Sequence, residues 1–593
     1  MLDVGARGAA ARLRRLFDAR DNPRWRRWLP ETLVLLLYLG LAFVVTAGLW
    51  LSGGSAATAD NTRDHAQFLF FFEHAAHAVV DLHNPFFTPL LAAPYGVNLM
   101  ANTAFLGLAV PLIPVTLTLG PGVSYALALT IGLAGTATAW YYVLRRHVTG
   151  NRVVAAVIGA FCGFFPGIVG HGNGHPNISA QFMLPLIVSA VIRLRSTPHP
   201  VRTGVVLGLM AAYQVFLNEE LLLFTVAACV VMVLTYAASR PAEARAAARH
   251  FLLGLAVAVG VAGVLTAYPL WFQFFGPQHY RGPFGWAQFY GADLAIYAAY
   301  GTNSIAGRLG AASPLNDDPG ETNAFIGLPL VLFAVVIAAV LWRVLAVRIA
   351  AVVAAVFALL SLGDTIIVNG RETGVAGPWR VLSYLPLLDS VITIRLALVV
   401  VPAIGVIVAA GLDRLLSDLR GVPRALVWGL AAAVLLPLVP TPLRVTQPDE
   451  LPAFITAGTW REYLDDGTLV PIPPDPYSEP TLRALVTTDL QTRFVDGYFL
   501  GPTSPENPIA RYGPPDRPTG LLLTEIAVTG LAPEVDDELR ATAREDIRFW
   551  EADALILAPQ EHFEVLRTTV SALIDREGEP RDGVWVWDVR DLR

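Results

Sequence analysis

Titratable side chains crowd the stretch from Asp60 to His83, which holds Asp60, Arg63, Asp64, His65, Glu73, His74, His77, Asp81 and His83. A carboxylate in such a setting can take a proton from a hydroxyl nucleophile, and imidazoles can hold a metal or donate to an anion. Phe68, Phe71, Ala75, Ala78, Val79 and Leu82 recur at helical spacing. Residues 64–82 are therefore predicted to form an amphipathic helix on a membrane surface, with Asp64 at its N-terminal end, where a carboxylate caps the helix and is favoured by its dipole. Glu73 and His77, and His74 and His77, share one face of that helix. The spacing suits a metal, but no HExxH-type signature accompanies it, and an ordinary polar helix face accounts for the same residues.

Three further places interrupt apolar sequence with polar chemistry. Gly170-His171-Gly172-Asn173-Gly174-His175-Pro176-Asn177 is glycine-rich but lies between apolar runs rather than between a strand and a helix, so it is not a nucleotide phosphate loop. Its imidazoles and carboxamides, His175 and Asn177 among them, can hydrogen-bond a sugar or phosphate, or simply make a turn. Glu219 and Glu220 break an apolar stretch, either as cavity-lining charges or as a hairpin turn at the water boundary. Arg395 sits within Val391-Ile392-Thr393-Ile394-Arg395-Leu396-Ala397-Leu398. A guanidinium there calls for an anion, such as a lipid-linked phosphate, or else snorkels to headgroups. His279, Arg281, Asp293, Asp317, Asp318 and Glu321, in the segment 273–322, could face the same cavity.

The elements that position these residues follow from composition. Only 15% of the side chains are charged and 54% are hydrophobic, whereas soluble domains carry roughly 25% charge. Apolar runs near 20 residues recur from residue 31 to about residue 441. They fall at 31–52, 104–119, 122–144, 153–168, 178–194, 203–217, 221–237, 251–272, 323–342, 347–362, 391–412 and 425–441. Every basic residue of the clusters Arg145/Arg146/Arg152, Arg193/Arg195/Arg202, Arg240/Arg245/Arg249, Arg343/Arg348 and Arg414/Arg420/Arg424 is an arginine, because the chain has no lysine. All five clusters face the cytoplasm if every run spans except 104–119, which Pro111 and Pro114 break and which suits the outer interface. The result is about eleven spanning helices. The basic segment 1–28 is then cytoplasmic, and the run after it is longer than a signal-peptide core, which reads as a retained anchor. Segments 53–121, 169–177, 218–220, 273–322 and 363–390 face outward. Parity also requires residues 203–237 to be two helices turning at Asn218-Glu219-Glu220 rather than one.

After the apolar region the chain turns rich in Pro, Asp, Glu and Arg. Residues 443–593 are expected to form an extracytoplasmic α/β domain behind the membrane region 29–442. Leu485-Val486, Ala554 to Leu557 and Gly583 to Trp587 read as strands, and 559–576 as a helix. Trp585 and Trp587 could stack on sugar, though packing is the commoner use. Cys162 and Cys229 both lie in apolar runs and form neither a disulfide framework nor a four-ligand zinc site.

These residues resemble the polytopic glycosyltransferase-C superfamily, and in particular actinobacterial membrane glycosyltransferases. The resemblance is carried by Asp64-His65-Ala66-Gln67-Phe68, Asn84-Pro85-Phe86-Phe87-Thr88 and Ala93-Pro94-Tyr95-Gly96-Val97-Asn98-Leu99. Gly174-His175-Pro176-Asn177, Glu219-Glu220, Tyr268-Pro269-Leu270-Trp271, the stretch from Asp389 to Arg395, and Tyr498-Phe499-Leu500-Gly501-Pro502 continue it in order. It implies a mainly α, transmembrane helical bundle and transfer of a sugar from a polyprenyl-phosphate donor to an extracytoplasmic glycan, lipid or protein acceptor. An acidic residue of the first outer loop, here Asp64 with Asp60 nearby, would be the base or a metal ligand. Arg395, Arg281 or His279 would meet the donor phosphate, and His175, Asn177, Glu219, Glu220 and Glu321 would line the sugar or acceptor pocket. No metal ligand set is assigned, a divalent metal is an option, and nucleic acid has no place. The alternative is a transporter or flippase of lipid-linked glycans that uses Glu219, Glu220 and Arg395 as pathway charges. A third is an assembly protein in which Asp64 is replaceable.

Overall fold

The computed structural model describes residues 23–282, 290–315, 319–418 and 423–593. The basic N-terminus up to residue 22, Asp317, Asp318 and Arg420 lie outside the described residues. Each run expected to span coincides with a helix. Pro23–Val45, Pro121–His147, Arg152–Gly163, Met183–Leu194, Pro200–Val215, Glu219–Ser239, Pro241–Phe275, Leu328–Val340, Leu345–Leu360, Ala397–Asp418 and Arg424–Leu435 follow one another. Among the described residues, six helical stretches are long and apolar enough to cross a membrane, and four others are shorter apolar helices. The Pro241–Phe275 helix has 35 residues and so runs about 52 Å, well beyond a hydrocarbon core of roughly 30 Å. Its end therefore projects among the loops and brings Gln273 to Glu219.

Local chemistry sets the ends of these helices. Pro121 opens Pro121–His147 at the first turn, where its missing N–H costs nothing. Arg145, Arg146 and His147 close it, where positive charge meets the negative end of the dipole. Tyr125, near the start of this helix, touches the 170–177 turn. Its arginine end lies about 30 Å away along the axis. The helix packs on Arg152–Gly163. Gly163 permits the approach, since a Cβ there would sit 2.6 Å from the Cα of Ala137. The stretch 104–119 forms two short helices, Leu106–Ala109 and Ile113–Leu119. The stretch 203–237 is two helices as well, and Asn218 caps the second by accepting the Leu221 N–H at 2.9 Å.

The helix predicted over 64–82 spans Thr62–Val80, but it does not lie open on a membrane surface. Its buried residues include the polar Asp64, His65, Glu73 and His74. The helices Pro121–His147 and Ile113–Leu119 pack on one side of it, and Glu479–Thr487 on another. The amphipathic pattern was read correctly; its polar face is covered by protein rather than water.

The C-terminal region carries a four-stranded sheet in the order Glu579–Arg581, Val584–Asp588, Ala552–Leu557, Thr468–Pro471. The first three strands pair antiparallel, with Leu555 opposite Trp587, and the last pairs parallel. The helix expected over 559–576 is Phe563–Ile574. The expected strand at Leu485-Val486 is instead part of the helix Glu479–Thr487, whose N-cap Ser478 accepts the Thr481 N–H at 3.3 Å. Two adjacent apolar residues do not distinguish the two periods, and the cap and Pro480 at the first turn decide for helix. Trp587 is wholly buried and donates to Ser571 Oγ at 3.1 Å, while Arg567 stacks over Trp585.

This unit is sewn onto the segment that follows the first apolar helix. Ala57–Thr58 pairs antiparallel with Val445–Thr446. The Phe494 N–H donates to Leu90 O at 2.9 Å, and the Ala93 N–H donates to Phe494 O at 3.0 Å. The Asn218 cap predicts its own test. Asn218→Ala should cost about 1 kcal/mol, read as a lower midpoint of thermal unfolding in detergent.

Candidate active site

Asp64 stands three residues after the N-cap Asn61, and the two side chains hold each other. Asn61 Oδ1 accepts the Asp64 backbone N–H at 3.1 Å, while the Asn61 amide donates to Asp64 Oδ2. This reciprocal arrangement fixes the carboxylate's rotamer at the positive end of the helix. His175 Nε2 lies 3.3 Å from the same Oδ2. Gly174 makes this contact sterically feasible. Its φ is +91°, and a Cβ there would fall 2.6 Å from the Asp64 Cβ. Tyr125 holds the turn in place, donating to Gly172 O at 2.9 Å and accepting the Gly174 N–H at 3.0 Å. His65 packs its ring on Tyr125 with centroids 4.2 Å apart. Burial pushes the His65 pKa down to about 3, so this imidazole stays neutral.

The C-terminal domain roofs this carboxylate with tyrosines. The Tyr498 phenol lies near enough to Asp64 and Tyr512 to be influenced by both. Burial and then the Asp64 charge raise the Tyr498 phenol far above its ordinary value, so it remains protonated. The Tyr498 and Tyr512 rings stack at 5.4 Å, and Tyr477 stands 5.2 Å from Tyr512. Burial likewise raises Tyr512, to about 12. The bend bearing Tyr498, just before the strand Leu500–Pro502, is held in place, since Gln67 Nε2 donates to Tyr498 O at 3.0 Å. Asn102 does the same for Leu500, accepting its N–H at 2.7 Å and donating to its O at 2.8 Å.

From His175 a chain of contacts leads to Arg395. The His175 and His171 rings meet edge-on at 6.0 Å. His171 Nε2 lies 2.8 Å from Asn323 Oδ1, and Asn323 Nδ2 donates to Glu321 Oε2 at 2.8 Å. Arg395 donates from Nε and Nη2 to Glu321 Oε1, at 2.8 and 2.6 Å, and from Nη1 to Glu220 Oε2 at 3.0 Å. Burial, followed by the Arg395 charge, holds His171 well below its ordinary pKa. Glu219 accepts from Gln273 at 2.9 Å. Three of the five guanidinium N–H groups of Arg395 are used by these bonds, leaving two to meet a ligand. His171 Nδ1, Asn173 Oδ1, His175 Nδ1 and Asn177 Oδ1 are buried without a hydrogen-bond partner among the described residues. Four such orphans in one turn mark a surface with unmet hydrogen-bonding capacity.

The structure thus brings Asp64, His175, Glu220, Glu321 and Arg395 into one contact path, with Asn177 in the turn that carries His175. The anion expected beside Arg395 is supplied by two of the chain's own carboxylates. Asp60 stands apart from this path and pairs with Arg444. His279 Nδ1 faces Gly276 O at 2.9 Å, and the exposed Arg281 uses its N–H on Pro508 O at 2.8 Å. Among the described residues neither joins the path by a hydrogen bond or ion pair. Asn323, Tyr498 and Tyr512 were not singled out as site residues from the sequence, although Tyr498 lies in a motif of the resemblance.

Arg395→Met would leave Glu220 and Glu321 facing each other uncompensated. The variant should lose about 3–5 kcal/mol, measured as thermal unfolding of the detergent-solubilised protein. The double variant with Glu321→Gln should recover part of that loss.

Neither a family model nor a curated protein matches this sequence. Two solved structures share the architecture. One is an arabinofuranosyltransferase from Mycobacteria, with a TM-score of 0.53 at 15% identity, over 95% of this chain and 40% of that one. The other is the apo oligosaccharyltransferase of Archaeoglobus fulgidus, with a TM-score of 0.51 at 12% identity, over 94% of this chain and 72% of that one. The chain spans well under half the length of the first. The likeness is one of fold: this chain shares its architecture with these two membrane enzymes.

Proposed function

We propose that the chain is a membrane glycosyltransferase that moves a sugar from a polyprenyl-phosphate donor to an acceptor hydroxyl on the outer side, with Asp64 as general base. The observation that carries this reading is a buried carboxylate, oriented by Asn61, His175 and Tyr498, at one end of a contact path whose other end is a cation beside lipid-facing helices. An apolar cleft of about 630 Å³ begins at Leu221 and Leu398, next to Glu220 and Arg395, and runs between helices toward Arg195 and His147. It suits a polyprenyl tail, with the headgroup delivered to Arg395.

In the proposed step, Asp64 takes the proton of the acceptor hydroxyl as its oxygen bonds to the anomeric carbon. The bond from that carbon to the phosphate oxygen breaks, and the electron pair leaves with polyprenyl phosphate. A positioned base contributes roughly 10²–10⁴-fold. The free N–H groups of Arg395 would receive the charge that develops on the departing phosphate. His279 and Arg281, at the rim, would meet that phosphate on entry. His175 and Asn177 offer their unpaired ring nitrogen and amide oxygen to sugar hydroxyls, and Glu219, Glu220 and Glu321 bound the pocket. Where a divalent cation takes part, Asp64 and His175 would be its protein ligands, and it would neutralise phosphate charge. The acceptor, a glycan, lipid or protein of the envelope, would approach beneath the tyrosine roof.

Membranes carrying Asp64→Asn should transfer radiolabelled sugar from a polyprenyl-phosphate donor roughly 10²–10⁴ times more slowly than the unaltered protein. Equal rates would remove Asp64 from the mechanism, and a lack of transfer from every donor in the unaltered protein would favour transport. The proposed orientation places the C-terminal domain outside the cell. A cysteine at the exposed Asp537 should then react with an impermeant maleimide on intact cells, whereas the native Cys162 and Cys229 are buried.

A further inference from the structure

Glu73, His77 and Asp489 converge on a point away from the path just described. His77 Nε2 lies 3.3 Å from Glu73 Oε1 and 3.2 Å from Asp489 Oδ1. All three ligand atoms fall within 4.8 Å of one another, the one such grouping of three histidine, cysteine or acidic side chains among the described residues. Hydrogen bonding does not explain this arrangement. An imidazole nitrogen carries at most one hydrogen and can donate well to only one of two carboxylates. The other contact sets an acidic oxygen against a nitrogen with nothing left to give, and the two carboxylates repel each other.

A shared cation explains both contacts. Ligand atoms about 2.0–2.1 Å from a tetrahedral metal stand about 3.3 Å from one another, which is the separation seen on both sides of His77 Nε2. An octahedral shell of the same bond length would place neighbouring ligands about 2.9 Å apart. Two further observations point the same way. Glu73 is only 8% exposed, and its Oε2 is buried with no hydrogen-bond partner among the described residues. The opposite ring nitrogen, His77 Nδ1, faces Asp81 Oδ2 at 3.7 Å. A carboxylate behind a metal-bound histidine fixes the ring and raises its basicity.

We propose that Glu73, His77 and Asp489 form a zinc-class metal site, with water as the fourth ligand, that clamps the helix carrying Asp64 to the C-terminal domain. Two ligands come from one helix, Thr62–Val80, and the third from the residue that follows the Thr488 cap of Glu479–Thr487. Asp489 has a φ of +57°, which turns the chain back toward the helix. Glu73 lies nine residues past Asp64, about 13 Å along the axis. The ion therefore has a structural task and takes no part in sugar transfer, so the inference stands whether or not the proposed activity does.

The test uses the full chain in detergent, stripped with EDTA and titrated with Co²⁺, then with competing Zn²⁺. The unaltered protein should develop the visible bands of four-coordinate cobalt, which Zn²⁺ displaces. Asp489→Asn, at a mostly exposed position, should weaken binding at least about tenfold, and Asp81→Asn by about 10–100-fold. Asp64→Asn should leave the affinity unchanged. Zn²⁺ should raise the unfolding temperature of the unaltered and Asp64→Asn proteins but not of Asp489→Asn. The proposal is overturned by an absence of saturable Co²⁺ binding, by equal affinity in Asp489→Asn, or by a site lost in Asp64→Asn and kept in Asp489→Asn.

Discussion

A guanidinium at the entry of an apolar helix has to be neutralised, and this requirement organises the end of the helical bundle where it lies. Arg395 is bound between Glu321 and Glu220, with its side chain 13% exposed. Either carboxylate alone would leave the cation under-satisfied, and neither carboxylate could stay buried without it. The pairing joins three parts of the chain that are remote in sequence: the first turn of Glu219–Ser239, the short helical turn ending at Glu321, and the turn Thr393–Leu396 that carries Arg395. Asn323 and His171 extend the same bonding to the glycine-rich turn, which in turn sets His175 against Asp64. Because each partner has few other bonding options, the position of Asp64 depends in the end on how Arg395 is held.

The trio carries an excess of negative charge, two carboxylates to one guanidinium. With side chains 13% and 22% exposed at Arg395 and Glu220, the trio keeps some access to solvent, which makes that excess tolerable.

Much of this was legible in the sequence, and what was legible shares one property. Asp64, Glu219, Glu220 and Arg395 stand out because charge is rare in an apolar context and costly there, so a single residue carries information. The Asn218 turn was readable for a similar reason, since only two helices keep the arginine clusters on one side. Features that depend on distant pairing could not be read. Thr62 hydrogen-bonds Glu479 across 417 residues of sequence, and nothing local to the Asp64 helix says that its polar face is covered. Likewise, Leu485-Val486 reads as a strand because two adjacent apolar residues fit either period, and the Ser478 cap that starts the helix stands seven residues earlier. Asn323 escaped notice because an asparagine in a loop is ordinary until it links a histidine to a glutamate. Asp60 looked like a companion to Asp64, yet its partner Arg444 lies 384 residues further along, at the start of the C-terminal region.

The tyrosine roof is built from residues some 431 positions after the helix it covers, as the bond from Gln67 to Tyr498 shows. A ribosome delivers the acidic helix to the membrane long before it makes the aromatic cover. Throughout that interval the carboxylate is open to water and lacks its phenolic partner. The acidic helix can therefore take its place among its neighbours before its cover exists, and a chain cut before Tyr498 would hold the same carboxylate without the aromatic rings above it.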